Sequence, residues 1–277
     1  MLDSAPPGPS PAGATRVCVL FAAGTNCDRE TAHAFELAGA RVATVHINRL
    51  RQEPKLLREF AILALPGGFS YGDYVSSGRI LAGELVHHLR DEFTRFHEAG
   101  RLTIGICNGF QVLVKAGLLP AFDRLFEPQS VTLDDNDSGR FEDRWCALKV
   151  ADSPCVFTRG FEERIEFPVA HAEGRFICRD RTVLNRLREN RQVVLRYVTR
   201  DGSGSDPDDP AGYPDNPNGS VDGITGICDP TGRIFGLMPH PERFVRREQH
   251  PRWHRERSTV PTGIRIFGNA VAYAREL

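Results

Sequence analysis

A cysteine stands alone among small residues in GICNGFQ, Gly105 to Gln111. It sits where a short apolar run, Leu102 to Ile106, gives way to the dense pattern of a packed helix closed by Gly117. A tight strand-to-helix turn there lifts the Cys107 sulfur above the sheet edge and sets it at the first turn of a helix. This is the geometry of a nucleophile elbow with sulfur in place of oxygen, and a helix start favours negative charge on that sulfur. A cysteine nucleophile needs a base, and the base needs an orienting group. Of nine histidines, His240 in GLMPHPER, Gly236 to Arg243, is the best placed. It follows an apolar strand and is stiffened by a proline on each side. Glu242 lies two residues on, so in an extended segment both side chains project to one side and the carboxylate fixes the imidazole tautomer. Pro66-Gly67-Gly68 ends a neighbouring strand and leaves a backbone N–H of Gly68 free to approach an oxyanion, with the Asn108 N–H as second donor. Alone, a cysteine in such a turn is an ordinary small core residue. Together, Cys107, His240 and Glu242 form a candidate triad.

The elements that must hold these residues alternate. Strands are expected at Arg16–Phe21, Arg41–Ile47, Ala61–Leu65 and Leu102–Ile106. Helices are expected after Asn26 or Asp28, which could cap the first of them, at Lys55–Phe60, over Gly78–Ala99, and after Cys107. Four such alternations predict an α/β fold of flavodoxin-like type: an open, largely parallel sheet with helices on both faces. Beyond Leu119 the rhythm changes to strands at Ser130–Leu133, Trp145–Val150, Ile165–His171 and Gln192–Val198, which should add mixed or antiparallel strands to the same sheet. A helix is expected at Arg181–Asn190, a hairpin around Asp229-PTG, and a closing helix from Ile264. Asp201 to Asp222 reads as a long functional or disordered loop.

Composition sets bounds. The chain has 277 residues, 40% hydrophobic and 26% charged, with 35 basic against 36 acidic side chains. Nothing in that balance recommends nucleic acid or an anionic membrane as partner, and no apolar run reaches spanning length. Seven cysteines without a C-x-x-C or a zinc spacing predict a reduced, cytoplasmic setting. Residues 1–15 lack the basic and apolar regions of a signal peptide and read as a floppy leader, with a single domain over residues 16–277.

G-x-C-x-G-x-Q, P-G-G and a late H-P-E resemble the class I, triad-type glutamine amidotransferases. GTNCD, PGGFSYGDY, NDSGRFEDRW, PVAHAEGRF, YPDNPNGS and GLMPHPERF narrow the resemblance to the glutaminase subunits of phosphoribosylformylglycinamidine synthases, from Val17 to the C-terminus. The resemblance implies that Cys107 attacks the carboxamide of glutamine while the Gly68 and Asn108 amides hold the oxyanion. His240 then passes a proton to departing ammonia, and water releases glutamate from the thioester. It further implies that Gln111 helps hold the glutamine backbone groups, that Asn136 and Arg140 belong to the glutamine pocket and its surroundings, and that His171 faces the partner. The implied partners are a separate synthetase subunit, which uses ATP and Mg, and a small bridging subunit; no cofactor belongs to this chain. The triad motif alone also fits another amidotransferase's glutaminase, a γ-glutamyl hydrolase or a cysteine peptidase. DDNDSG, Asp134 to Gly139, echoes a calcium loop, but its twelfth position is Trp145 instead of Glu, so no metal site is expected. Cys27 has no histidine beside it in the sequence and reads as structural. HPRWHRER, His250 to Arg257, reads as a solvated surface run.

Overall fold

The computed structural model describes residues 14–73, 75–201, 205–206, 209–255 and 260–277. The 1–13 part of the expected leader, and parts of the 201–222 loop and of the 250–257 run, lie outside them. Strands β1 (Arg16–Phe21), β2 (Arg41–His46), β3 (Ile62–Leu65) and β4 (Leu102–Ile106) form first, separated by helices α1 (Asp28–Leu37), α2 (Ile47–Gln52), α3 (Arg79–His88) and α4 (Arg90–Glu98). After α5 (Asn108–Lys115) come β5 (Val131–Asp134), β6 (Glu142–Val150), β7 (Arg164–His171) and β8 (Arg175–Cys178). Then follow α6 (Arg181–Glu189), β9 (Val193–Tyr197), the two-residue pair β10 (Ser205–Asp206) and β11 (Asp209–Pro210), β12 (Ile224–Cys228), β13 (Ile234–Leu237) and α7 (Gly263–Ala274).

One nine-stranded sheet runs in the order β2-β1-β3-β4-β13-β12-β9-β6-β7. From β2 through β13 neighbours are parallel, and from β13 onward antiparallel. The parallel strands are buried on both faces, which is why VCVLF, ILAL and LTIGI are nearly continuous apolar runs. The strand order turns back at β1. Right-handed crossovers therefore put α1 on one face and α3 on the other. α1 packs on α7, with Phe35 edge-on to Phe267 at 4.9 Å, and α5 packs on α3. Because β1, β3, β4 and β13 are adjacent and parallel, their carboxyl ends share one edge. Those ends lead to Cys27, Gly68, Cys107 and His240 respectively. In open α/β sheets this crevice is where ligands bind.

Several expectations need correction. Helix 78–99 is two helices broken at Leu89, whose ψ of 2° leaves the helical range. The Lys55–Phe60 helix is a 3-10 turn, Pro54–Glu59. Cys27 occupies the cap position of α1, and neither Asn26 nor Asp28 provides a side-chain cap there. β5 pairs with β8 in a sheet of its own instead of joining the large one. The polar loop after Thr199 is not featureless, since it contains the β10–β11 pair and a 3-10 turn at Val221–Gly223.

Candidate active site

Cys107 sits between β4 and α5 with φ 51° and ψ −107°, a left-handed conformation that costs a β-substituted residue on the order of 1–3 kcal/mol. The surroundings hold it there. Its N–H donates to Leu237 O at 2.8 Å, and its carbonyl accepts from the Phe110 and Gln111 amides at 2.9 and 3.2 Å. The turn is this sharp because strand and helix backbones touch. A Cβ on Gly109 would lie 1.9 Å from Leu65 O, and one on Gly105 would lie 2.6 Å from Gly109 O. The glycines in GICNG are therefore what bring the sulfur to the edge of the sheet.

His240 follows β13, its N–H donating to Pro168 O at 2.8 Å. Its Nδ1 stands 2.6 Å from Glu242 Oε1, with both residues 1% exposed. The pairing expected from an extended segment is made instead by a single 3-10 turn, Pro241–Arg243. Burial opposes charging the imidazole. The Glu242 carboxylate, with Cys107 and Cys27 facing the ring, outweighs that and raises the His240 pKa well above the ordinary value. Glu242 takes Nδ1, so Nε2 is the nitrogen left for the thiols. Nε2 is turned toward the Cys107 and Cys27 thiols.

Cys107, Cys27 and His240 face a cavity of about 420 Å³, lined also by Gly68, Phe69, Asp73, Gln111, Phe141 and Glu173. Gly68, at φ +137°, is fixed by a bridge to Thr25 made through its neighbours: Asn26 N–H to Gly67 O and Phe69 N–H to Gly24 O. The Gly68 N–H takes no part in that bridge. The Asn108 N–H lies in the first turn of α5, where amides lack intrahelical acceptors. The Asn108 side chain knits the floor, accepting from Ser70 N–H at 3.2 Å and donating to Gln111 Oε1 at 3.0 Å. Gln111 Nε2 in turn donates to Glu173 O at 2.6 Å. Burial raises the Asp73 pKa, reinforced by the charge of Glu173. A larger cavity of about 690 Å³ lies between α4 and the β12–β13 turn, but no cysteine lines it.

Of the three remaining expected residues, His171 lines the cavity while Asn136 and Arg140 stand beside it. Asn136 is buried outside the cavity lining, and its side chain brackets the turn after β7 through His171 O, Arg140 O and the Gly174 N–H. Arg140 is exposed and does not line the cavity; from that stretch Phe141 and Asp143 line it instead. His171 is 3% exposed at the end of β7 and lines the cavity. Its Nδ1 stands 3.1 Å from Asn136 Oδ1, and its Nε2 stands 3.5 Å from Asn218 Nδ2. Burial first, and the charge of His240 second, push its pKa down to about 3. Cys27, which the sequence reading left structural, has its thiol at the His240 ring and 3.2 Å from Arg243 Nη2. Nothing in the local sequence signals this proximity, because β1 and β13 are separated by two intervening strands and by most of the chain.

A model of the CobB/CobQ-like glutamine amidotransferase domain matches residues 14–274. The chain belongs to this glutamine amidotransferase family. The amidotransferase is 49% identical to phosphoribosylformylglycinamidine synthase subunit PurQ of Dehalococcoides mccartyi, across 95% of this chain and 98% of that one. It is 41% identical to the protein of the same name from Methanococcus maripaludis, across 93% and 97%. Among solved structures it resembles a chain in the structure of PurLQS from Thermotoga maritima, with TM-score 0.69 and 32% identity, covering 94% of the amidotransferase and 99% of that chain. A GMP synthase subunit from Thermoplasma acidophilum, at 13% identity and TM-score 0.56, shares the fold. No helix among the described residues of the amidotransferase is long and apolar enough to cross a membrane.

Proposed function

We infer that this amidotransferase is the glutaminase subunit of a phosphoribosylformylglycinamidine synthase. The observation that carries the reading is a strained cysteine elbow sharing one cavity with His240, itself paired to buried Glu242, in a chain 49% identical to a PurQ subunit over 95% of its length. Cys107 Sγ attacks the carboxamide carbon of glutamine. The carbonyl oxygen gains charge, which the Gly68 and Asn108 amides take up. The C–N bond breaks as His240 gives its proton to the leaving nitrogen, releasing ammonia. Water then attacks the thioester, His240 accepts a proton from that water, and glutamate departs. Glu242 holds the ring and stabilises its charged form throughout. Gln111 and the turn at Glu173 form the wall that receives the substrate's backbone groups.

Ammonia is consumed elsewhere. The sequence has no G-x-x-x-x-G-K-[ST] and no G-x-G-x-x-G, so ATP and Mg act on a separate synthetase subunit that converts formylglycinamide ribonucleotide to the amidine. A small third subunit bridges the two, in keeping with the PurLQS assembly. The working compartment on this reading is the cytoplasm, and one domain, residues 16–277, carries the activity. The test is reconstitution. Glutamine-dependent amidine formation should need this chain plus a synthetase, while ammonium salt should support the synthetase alone. Amidine synthesis by this chain without a partner, or full-speed glutamine hydrolysis indifferent to it, would refute the assignment.

A further inference from the structure

Cys27 is a nucleophilic, metal-ligating group at the site that the reaction above leaves unused. We propose that Cys27, His240 and Cys107 form a binding site for a thiophilic divalent cation of the zinc type, which holds the resting enzyme inactive and competes with glutamine.

Three segments distant in sequence converge to make it. The Cys27 sulfur, a ring nitrogen of His240 and a carboxylate oxygen of Glu242 all lie within 4.8 Å of one another. A Cβ built on Gly67 would meet His240 Cε1 at 2.9 Å, Cys27 Sγ at 3.2 Å and Cys107 Cβ at 3.4 Å. The three side chains therefore surround one small spot above that glycine. The feature that favours a soft ion is His240, 1% exposed, which has Nδ1 on Glu242 and turns Nε2 toward the Cys27 and Cys107 thiols.

The supporting contacts suit a metal. Glu242 on Nδ1 orients the ring so that Nε2 faces the thiols, the arrangement that orients metal-bound imidazoles, and Nε2 gives up its proton when a metal binds. Arg243 Nη2, 3.2 Å from Cys27 Sγ, partly offsets the negative charge of a thiolate there. Two sulfurs and one imidazole select zinc-like ions over magnesium or calcium, and a water completes the tetrahedron. Cys107 now points at Ala170 O, 3.8 Å away, and turns about its Cα–Cβ bond to ligate. Thiols that bind as thiolates release their protons, so binding tightens as pH rises. With nucleophile and base both engaged, glutamine cannot react. The ligands fall at positions 27, 107 and 240, which is why no zinc spacing exists in the sequence.

The inhibitory part rests on the glutaminase reading; the binding part does not, and the two are measured separately. The reduced full chain is titrated with cadmium ion without substrate, following the thiolate-to-cadmium charge-transfer absorbance. One equivalent should bind. Cys27→Ala and Cys107→Ala should each lose about half of the band and weaken binding at least ~10-fold, while Cys178→Ala should match wild type. Cys27→Ser, nearly isosteric and lacking the soft donor, should behave as Cys27→Ala does, and circular dichroism checks that each variant is folded. Zinc ion should inhibit glutamine hydrolysis reversibly with EDTA. More zinc should be needed when glutamine is raised, and also in Cys27→Ala measured against its own zinc-free rate. A band and affinity unchanged in both folded Cys27 variants would overturn the site, as would binding that follows Cys178. A full cadmium band with zinc-insensitive glutamine hydrolysis would overturn the inhibitory role.

Discussion

His171 makes the folded chain sensitive to mild acid, by an amount that follows from its partners. Asn136 Nδ2 donates to two carbonyls, which leaves Oδ1 as acceptor for the Gly174 N–H and for His171 Nδ1–H. Nε2 therefore carries the lone pair and faces Asn218 Nδ2, a donor. Burial first, and the charge of His240 second, bring the folded-state value from the ordinary 6.5 down to about 3, and protonating Nε2 would also set donor against donor. The unfolded chain binds this proton below pH 6.5 and the folded chain does not, so stability is unaffected above that value and falls as pH drops toward 3. At about 1.4 kcal/mol per pH unit below the unfolded value, this residue alone should remove about 2 kcal/mol between roughly pH 7.5 and pH 5. Urea unfolding of wild type and His171→Gln across that range isolates it. The variant should start about 1–3 kcal/mol less stable because Asn136 and Asn218 lose a partner, yet lose about 2 kcal/mol less than wild type on acidification. Parallel pH profiles for the two proteins would refute the assigned tautomer and the buried neutral imidazole.

Other expectations follow from the same geometry. His240→Ala should reduce glutamine hydrolysis nearly as far as loss of the thiol does. Glu242→Gln should be milder, with the pH at which His240 loses its proton moved down because the main group raising it is gone; an unaltered pH–rate profile in Glu242→Gln would contradict the pairing. Gly109→Ala should destabilise by about 1–3 kcal/mol or more, since its Cβ would overlap Leu65 O at the strand–helix contact; a thermal melt matching wild type would contradict that crowding. Gln111→Leu should raise KM for glutamine more than it lowers kcat if this wall receives the substrate, and an unchanged KM would remove Gln111 from that role.

Local chemistry was legible and long-range convergence was not. The elbow could be read because its causes are local: two glycines, one cysteine and a switch from strand to helix pattern within seven residues. The parallel half was equally readable, since doubly buried strands are apolar throughout. The β12–β13 hairpin followed from its turn residues around Asp229, whose carboxylate accepts the Thr231, Arg233 and Ile234 amides. The break at Leu89 left no signal, because the apolar spacing continues through it and no glycine or proline marks it. β5 reads as a sheet strand like any other, and pairing with β8 is decided by tertiary contacts. The resemblance placed Asn136 and His171 near the site, but not the contact between them or their hold on the turn after β7, which only the folded chain brings together. Cys27 is the converse case, a residue with no local signal that the sheet order carries to the nucleophile.

The central claim is that Cys107 carries the glutamyl group. Intact-mass analysis of the chain acid-quenched during turnover of glutamine, with its synthetase present, tests it directly. The account predicts a glutamyl adduct that maps to Cys107 and is absent from Cys107→Ala, which should fold normally and hydrolyse no glutamine. An adduct mapping to Cys27, or glutamine hydrolysis persisting in pure Cys107→Ala, would contradict it.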